Sequence, residues 1–135
     1  MTKNEIIISL QNGINPYEEY YVEDESMEAM LEYPNPFELV APILEIIESN
    51  PDIDFGTPGD LVHFVEKFYK KGYEEKLISS LKRMPTVHTV WMLHRIINGT
   101  EHPEHYLSIL KQISEDESYQ KEVRDMALEF LSIHE

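Results

Sequence analysis

The residues of this chain whose types could do chemistry are, first, its six histidines. His102 and His105 lie one helical turn apart, but no third firm ligand stands beside them, and zinc sites use at least three protein ligands. His63 and Glu66 have the same spacing, which is more typical of a helix-surface pair than of an acid–base couple. We therefore expect no catalytic residue and no histidine metal site.

A second candidate is the loop in which Asp52, Asp54 and Asp60 flank Gly56. It resembles a calcium loop faintly, but the later glutamate and the regular oxygen spacing of such loops are missing. Turn and capping roles are the default for aspartates in this setting. Because no cysteine is present and no glycine-rich phosphate motif is complete, we expect no metal and no cofactor. The loop's concentrated charge instead makes it a candidate acidic contact.

The distribution of charge is the most informative feature of the sequence. Residues 1–60 hold 14 of the 26 acidic residues and one basic residue, a net charge of −13 out of −15 for the whole chain. Such a surface repels nucleic acid and anionic membranes, and it attracts a basic protein. Tyrosines interleave with the acids, and tyrosine provides a rigid contact surface with a polar tip. The candidate partner-binding residues here are Glu18, Glu19, Tyr20, Tyr21, Glu23, Asp24, Glu25 and Glu28. The alternative interpretation of this acidic stretch is a solvated, partly disordered arm.

The elements that must position these residues are predicted to be helices throughout. Thr2 and Glu5 form a capping box for a helix over about residues 3–12, and Asn35 followed by Pro36 predicts another start. Pro42 should kink that second helix near residue 38. Further starts fall near residues 58, 73, 86, 103 and 118. Trp91 lies on an apolar stripe and is predicted to be core.

This pattern predicts an all-α, single-domain protein. Its helical hairpins could form an irregular α-solenoid of the HEAT or armadillo kind, or a helical bundle. We assign residues 1–34 to an acidic, tyrosine-rich segment packed on or extending from the domain, and residues 35–135 to the helical-hairpin domain. No stretch has the length and apolarity of a signal peptide or a membrane span, so we expect a soluble cytoplasmic protein without membrane contact.

Two stretches of the chain resemble a known class of proteins. They run from Asn50 to Phe64 (NPDIDFGTPGDLVHF) and from Thr86 to Asn98 (TVHTVWMLHRIIN). They are similar to stretches in small acidic all-helical immunity proteins, which are encoded beside bacterial polymorphic toxins of contact-dependent inhibition and related systems. The resemblance covers about residues 35–135. It implies an inhibitor that binds a cognate toxin domain, often a nuclease, and no individual contact residue is transferred from it.

The sequence therefore leaves three functional hypotheses. The first is an immunity protein whose acidic surface binds a basic toxin domain, and the second is a helical-repeat adaptor that binds another protein through its groove. An enzyme comes third, because no nucleophile, base and metal converge in the sequence.

Overall fold

The described part of the chain is helical. The computed structural model describes residues 1–56 and 58–134, and this part contains eight α-helices, one 3-10 helix and no strand. The all-α prediction is thereby confirmed. The helices are α1 (Lys3–Asn12), α2 (Asp24–Glu32), a 3-10 helix (Pro36–Leu39), α3 (Val40–Ser49), α4 (Asp60–Glu66), α5 (Tyr73–Arg83), α6 (Val87–Gly99), α7 (Glu104–Glu115) and α8 (Lys121–His134).

Threonine capping boxes set the start of two helices. At α1 the Thr2 hydroxyl accepts from the Glu5 backbone N–H, and the Glu5 side chain accepts from the Thr2 N–H, as the sequence predicted. At α6 the same reciprocal pair is made by Thr86 and Thr89, both of them buried. Each box satisfies two N–H groups that the first turn of a helix leaves without intrahelical partners.

The start of α3 differs from the prediction. Asn35 makes no side-chain capping bond, and a 3-10 helix from Pro36 precedes α3, which begins at Val40. Pro42 therefore lies in the first turn of α3, where a backbone N–H would have no intrahelical partner in any case. The predicted kink near residue 38 is replaced by this change from 3-10 to α-helix.

The chain divides into two compact units, Met1–Lys76 (the N-terminal unit) and Leu77–Glu135 (the C-terminal unit). The division falls within α5. In the N-terminal unit, α1 contacts α2 and α3, and α3 contacts α4. The acidic segment is therefore packed into this unit, because it contributes core side chains of its own: Tyr20, Val22 and Met30.

The C-terminal unit is built on α6, α7 and α8, each of which contacts the other two. This mutual packing is that of a helical bundle, one of the two predicted architectures. The buried face of α6 carries Val90, Met92, Leu93, Ile96 and Ile97. The prediction that Trp91 belongs to the core is wrong. Trp91 lies beside this face and is half-buried, with the guanidinium of Arg95 4.9 Å from its ring centroid.

Candidate protein-binding surface

Tyr20 anchors the acidic segment to the N-terminal unit. Its side chain is 3% exposed, its hydroxyl donates to the carbonyl of Leu10 at 2.9 Å, and its ring centroid is 5.3 Å from that of Phe55. Burial, with the nearby charges of Asp60 and Glu23, raises the pKa of Tyr20 to about 12. Tyr20 was a candidate contact residue. The structure instead places it in the core, where its ring is closed to a partner.

The same segment is joined to the aspartate loop by two hydrogen bonds. The backbone N–H of Tyr20 donates to the carbonyl of Asp54 at 2.7 Å, and the N–H of Val22 donates to Oδ2 of Asp60 at 2.9 Å. The two acidic stretches that the sequence offered separately therefore lie side by side. We call them together the acidic surface; its members are Tyr17, Glu18, Glu19, Tyr21, Glu23, Asp24, Glu25, Glu28, Asp52, Asp54 and Asp60.

The loop side of this surface has a fixed backbone. Ile53 and Phe55 are buried, and the Gly56 N–H donates to Oδ1 of Asp54 at 2.9 Å. Gly56 has a φ of +87°, and a Cβ on Gly59 would collide with the carbonyl oxygen of Phe55. Only glycine fits both demands without strain. Asp54 thus has the turn role predicted for these aspartates, and Asp60 instead holds the backbone of the acidic segment through Val22.

Two tyrosines of the acidic surface remain open to solvent. Tyr17 is 93% exposed and Tyr21 is 66% exposed. The hydroxyl of Tyr21 donates to Oε2 of Glu19 at 2.6 Å. This bond and the charge of Glu19, with smaller contributions from Asp54 and Asp60, raise the pKa of Tyr21. The exposed ring of Tyr21 is therefore surrounded by the carboxylates of Glu19, Asp54 and Asp60.

The carboxylates of the acidic surface carry uncompensated charge. Glu18, Glu19, Glu23, Asp24, Glu25, Glu28, Asp52 and Asp54 are exposed, and Asp60 is half-buried. Within residues 1–56 and 58–134, none of them forms an ion pair with a lysine or arginine. Three of the nine stand in the first turn of a helix, Asp24 and Glu25 in α2 and Asp60 in α4. The positive helix end favours a carboxylate there, so these three also stabilise the fold.

The sequence signal that separates the two neighbouring tyrosines is their register with Val22 and with the charged residues Glu19 and Glu23. Tyr20 and Val22 are buried, whereas Tyr21 and Glu23 are exposed. Successive side chains of an extended backbone point to opposite sides. The apolar residues at positions 20 and 22 therefore mark the inward side, a period of two that residue type alone does not reveal.

Three of the six histidines are exposed, and two others are in close contact with each other. Among the described residues no group of three or more histidine and carboxylate side chains could hold a metal ion. His63, His102 and His105 are exposed. One close histidine contact had no sequence signal, because its members are 40 residues apart: Nδ1 of His94 lies 2.8 Å from Nε2 of His134.

No protein family, curated protein or solved structure matches this chain. In the described part, no helix has both the length and the apolarity to cross a bilayer.

Proposed function

We propose that this chain is an immunity protein that acts in the bacterial cytoplasm, where it binds and neutralises a cognate toxin domain, a basic nuclease, through the acidic surface. The observation that carries the proposal is the joining of residues 17–28 to the aspartate loop through Tyr20 and Val22. These hydrogen bonds place the two acidic stretches side by side, so that together they offer one charged surface with exposed aromatic side chains.

Charge supports this choice of partner. A nuclease presents a positive cleft to the phosphates of its substrate, and unpaired carboxylates on a fixed backbone are complementary to such a cleft. Long-range attraction of this kind raises association above the roughly 10⁵–10⁶ M⁻¹s⁻¹ of neutral protein pairs. The acidic surface would also repel the nucleic acid that competes for the cleft.

The exposed tyrosines support a protein partner in particular. Tyrosine and arginine are over-represented among the residues that dominate binding energy in protein interfaces. Tyr21, held by Glu19 and flanked by Asp54 and Asp60, can receive an arginine or lysine of the partner with both its ring face and the adjacent carboxylates. Tyr17 adds a second ring on the same segment.

The test is co-purification and inhibition with the toxin domain encoded beside this gene. We expect an equimolar complex and loss of the toxin's activity in a nuclease assay. Tyr21→Ala should weaken the complex by about 2 kcal/mol if the ring is a contact residue of the size typical for interface tyrosines. Tyr21→Phe is the matched control, because it keeps the ring and removes only the hydroxyl.

Failure to form the complex would remove the proposal. A complex in which the toxin stays fully active would point instead to the adaptor role, because binding without inhibition is what a helical-repeat adaptor provides.

A further inference from the structure

The end of α8 is held on α6 by a histidine pair. His94 of α6 and His134 of α8 approach to 2.8 Å between Nδ1 and Nε2. The His94 ring also stacks on Phe130, one turn before His134, with centroids 4.0 Å apart and planes 8° from parallel. Since Phe130 and His134 lie one turn apart on α8, the single side chain of His94 meets the last turn of α8 at two points.

Asn98 fixes the protonation pattern that this contact requires. Its Nδ2 lies 3.3 Å from Nε2 of His94. When that amide donates to Nε2, the neutral His94 ring carries its hydrogen on Nδ1 and donates it to Nε2 of His134. The pair can hold this hydrogen bond with one ring protonated, but two imidazolium rings would have N–H facing N–H at the same distance.

We propose that His94 and His134 form a pH-sensitive latch, which holds the last turn of α8 against α6 and releases it when both rings are protonated. This inference is independent of the proposed toxin binding. It rests on the geometry of the two rings, on Phe130 and on Asn98.

His134 is the titrating group of α8 that contacts His94. On α6 the guanidinium of Arg95 lies over Trp91. On α8 Asp125 pairs with Lys121 at 2.6 Å, and Glu129 is exposed. On α7 Glu104, His105, Lys111 and Glu115 are exposed, and Tyr106 is half-buried with its ring centroid 5.9 Å from that of His105.

The direction of the pH dependence follows from His94. Burial, and secondly the charge of His134, lowers the pKa of His94 below the ordinary histidine value of 6.5. A released His94 therefore binds a proton more readily than a latched one. The latch is fully formed above about pH 6.5 and is weakened as the pH falls from there through the lowered pKa. Release of one terminal turn requires less free energy than global unfolding, so opening should be local.

Hydrogen exchange of the wild-type chain at several pH values tests the latch. After correction for intrinsic exchange, protection of the amides of residues 130–134 should fall between about pH 7.5 and about pH 5, by about tenfold for each unit by which the pKa of His94 differs between latched and released states. Amides of α7 residues 109–113 should change by less than about twofold, because local opening leaves α7 in place.

Two variants decide the origin of the effect. His134→Gln keeps a side chain that can hydrogen-bond but removes one titrating ring and its charge, so the pH response at residues 130–134 should shrink to the part that the burial of His94 alone causes. His102→Gln, at an exposed histidine, removes a titrating ring elsewhere and should respond like the wild type. A wild-type pH response in His134→Gln, or no loss of protection in the wild type, would overturn the latch.

Discussion

The two units of this protein differ in net charge, and they also differ in how deeply one aromatic side chain of each, Tyr20 or Trp91, is buried. The N-terminal unit carries seventeen acidic and five basic residues, a net charge of −12, whereas the C-terminal unit carries nine and six, a net charge of −3. The N-terminal unit buries Tyr20 from the middle of its most acidic run. The C-terminal unit leaves Trp91, the chain's one tryptophan, half-buried.

This difference shows that the density of charge along a stretch of sequence does not determine whether an aromatic side chain in that stretch is buried. Crowded carboxylates repel one another, and this repulsion opposes the favourable positions of Asp24, Glu25 and Asp60 at helix starts. The N-terminal unit must therefore obtain its stability from its core, which includes side chains of the acidic segment itself. The carboxylates of the acidic surface, which form no ion pair with a lysine or arginine among the described residues, are the charge that the proposed basic partner would meet.

The largest effect that could break this comparison is expected at Tyr20. Tyr20→Ala removes a buried ring and its bond to Leu10, so it should lower the free energy of unfolding by about 3–5 kcal/mol. Tyr21→Ala is the matched control, one position along and 66% exposed, and it should change stability by less than about 0.5 kcal/mol. Urea unfolding of both variants measures the difference.

Equal unfolding midpoints for Tyr20→Ala and Tyr21→Ala would show that the acidic segment is not packed into the N-terminal unit. The segment would then be the solvated arm that its composition also allowed.

A smaller effect is expected at Trp91. Because its ring is half-buried and faces Arg95, Trp91→Ala should lower the free energy of unfolding by about 2 kcal/mol, below the range for a fully buried ring. Trp91→Phe keeps most of the ring contact and serves as the control. A loss as large as that of Tyr20→Ala would mean that Trp91 is core after all, and the contrast between the units would fail.

Much of the fold could be predicted from local signals. The capping box of Thr2 and Glu5 defined α1, and the apolar stripe of α6 indicated its buried face. Such signals are written within a few residues of one another. The all-helical class and the positions of most helices follow from them, and so does the acidic character of residues 17–28.

The rest depended on contacts between distant residues. Val22 meets Asp60 across 38 positions, and His94 meets His134 across 40. No periodicity within one helix encodes such pairs, so neither the single acidic surface nor the histidine pair could be derived beforehand. The roles of Tyr20 and Trp91 were misjudged for a related reason. Residue type suggested a partner contact for Tyr20 and a core position for Trp91. Their neighbours in space instead bury Tyr20 and leave Trp91 half-buried.

The central claim is that the acidic surface binds a basic partner, and association kinetics test it most directly. One variant changes Glu18, Glu19, Glu23, Asp24, Glu25 and Glu28 to Gln or Asn. Its matched control changes six exposed carboxylates of the C-terminal unit in the same way: Glu101, Glu104, Glu115, Glu117, Glu122 and Glu129. Asp24 and Glu25 each stabilise α2 by about 0.3–1 kcal/mol at its positive end, so helicity is checked first.

Binding to a catalytically inactive form of the toxin domain is then followed at low and at high salt. We predict that neutralising the acidic surface lowers the association rate constant at low salt by about tenfold and flattens its salt dependence, while the dissociation rate changes less. The control variant carries the same change in net charge and should associate nearly as fast as the wild type. Equal association rates for the two variants would contradict the account: equally slowed rates would mean that the partner responds to the total charge of the chain, and equal wild-type rates would mean that it responds to neither set of carboxylates.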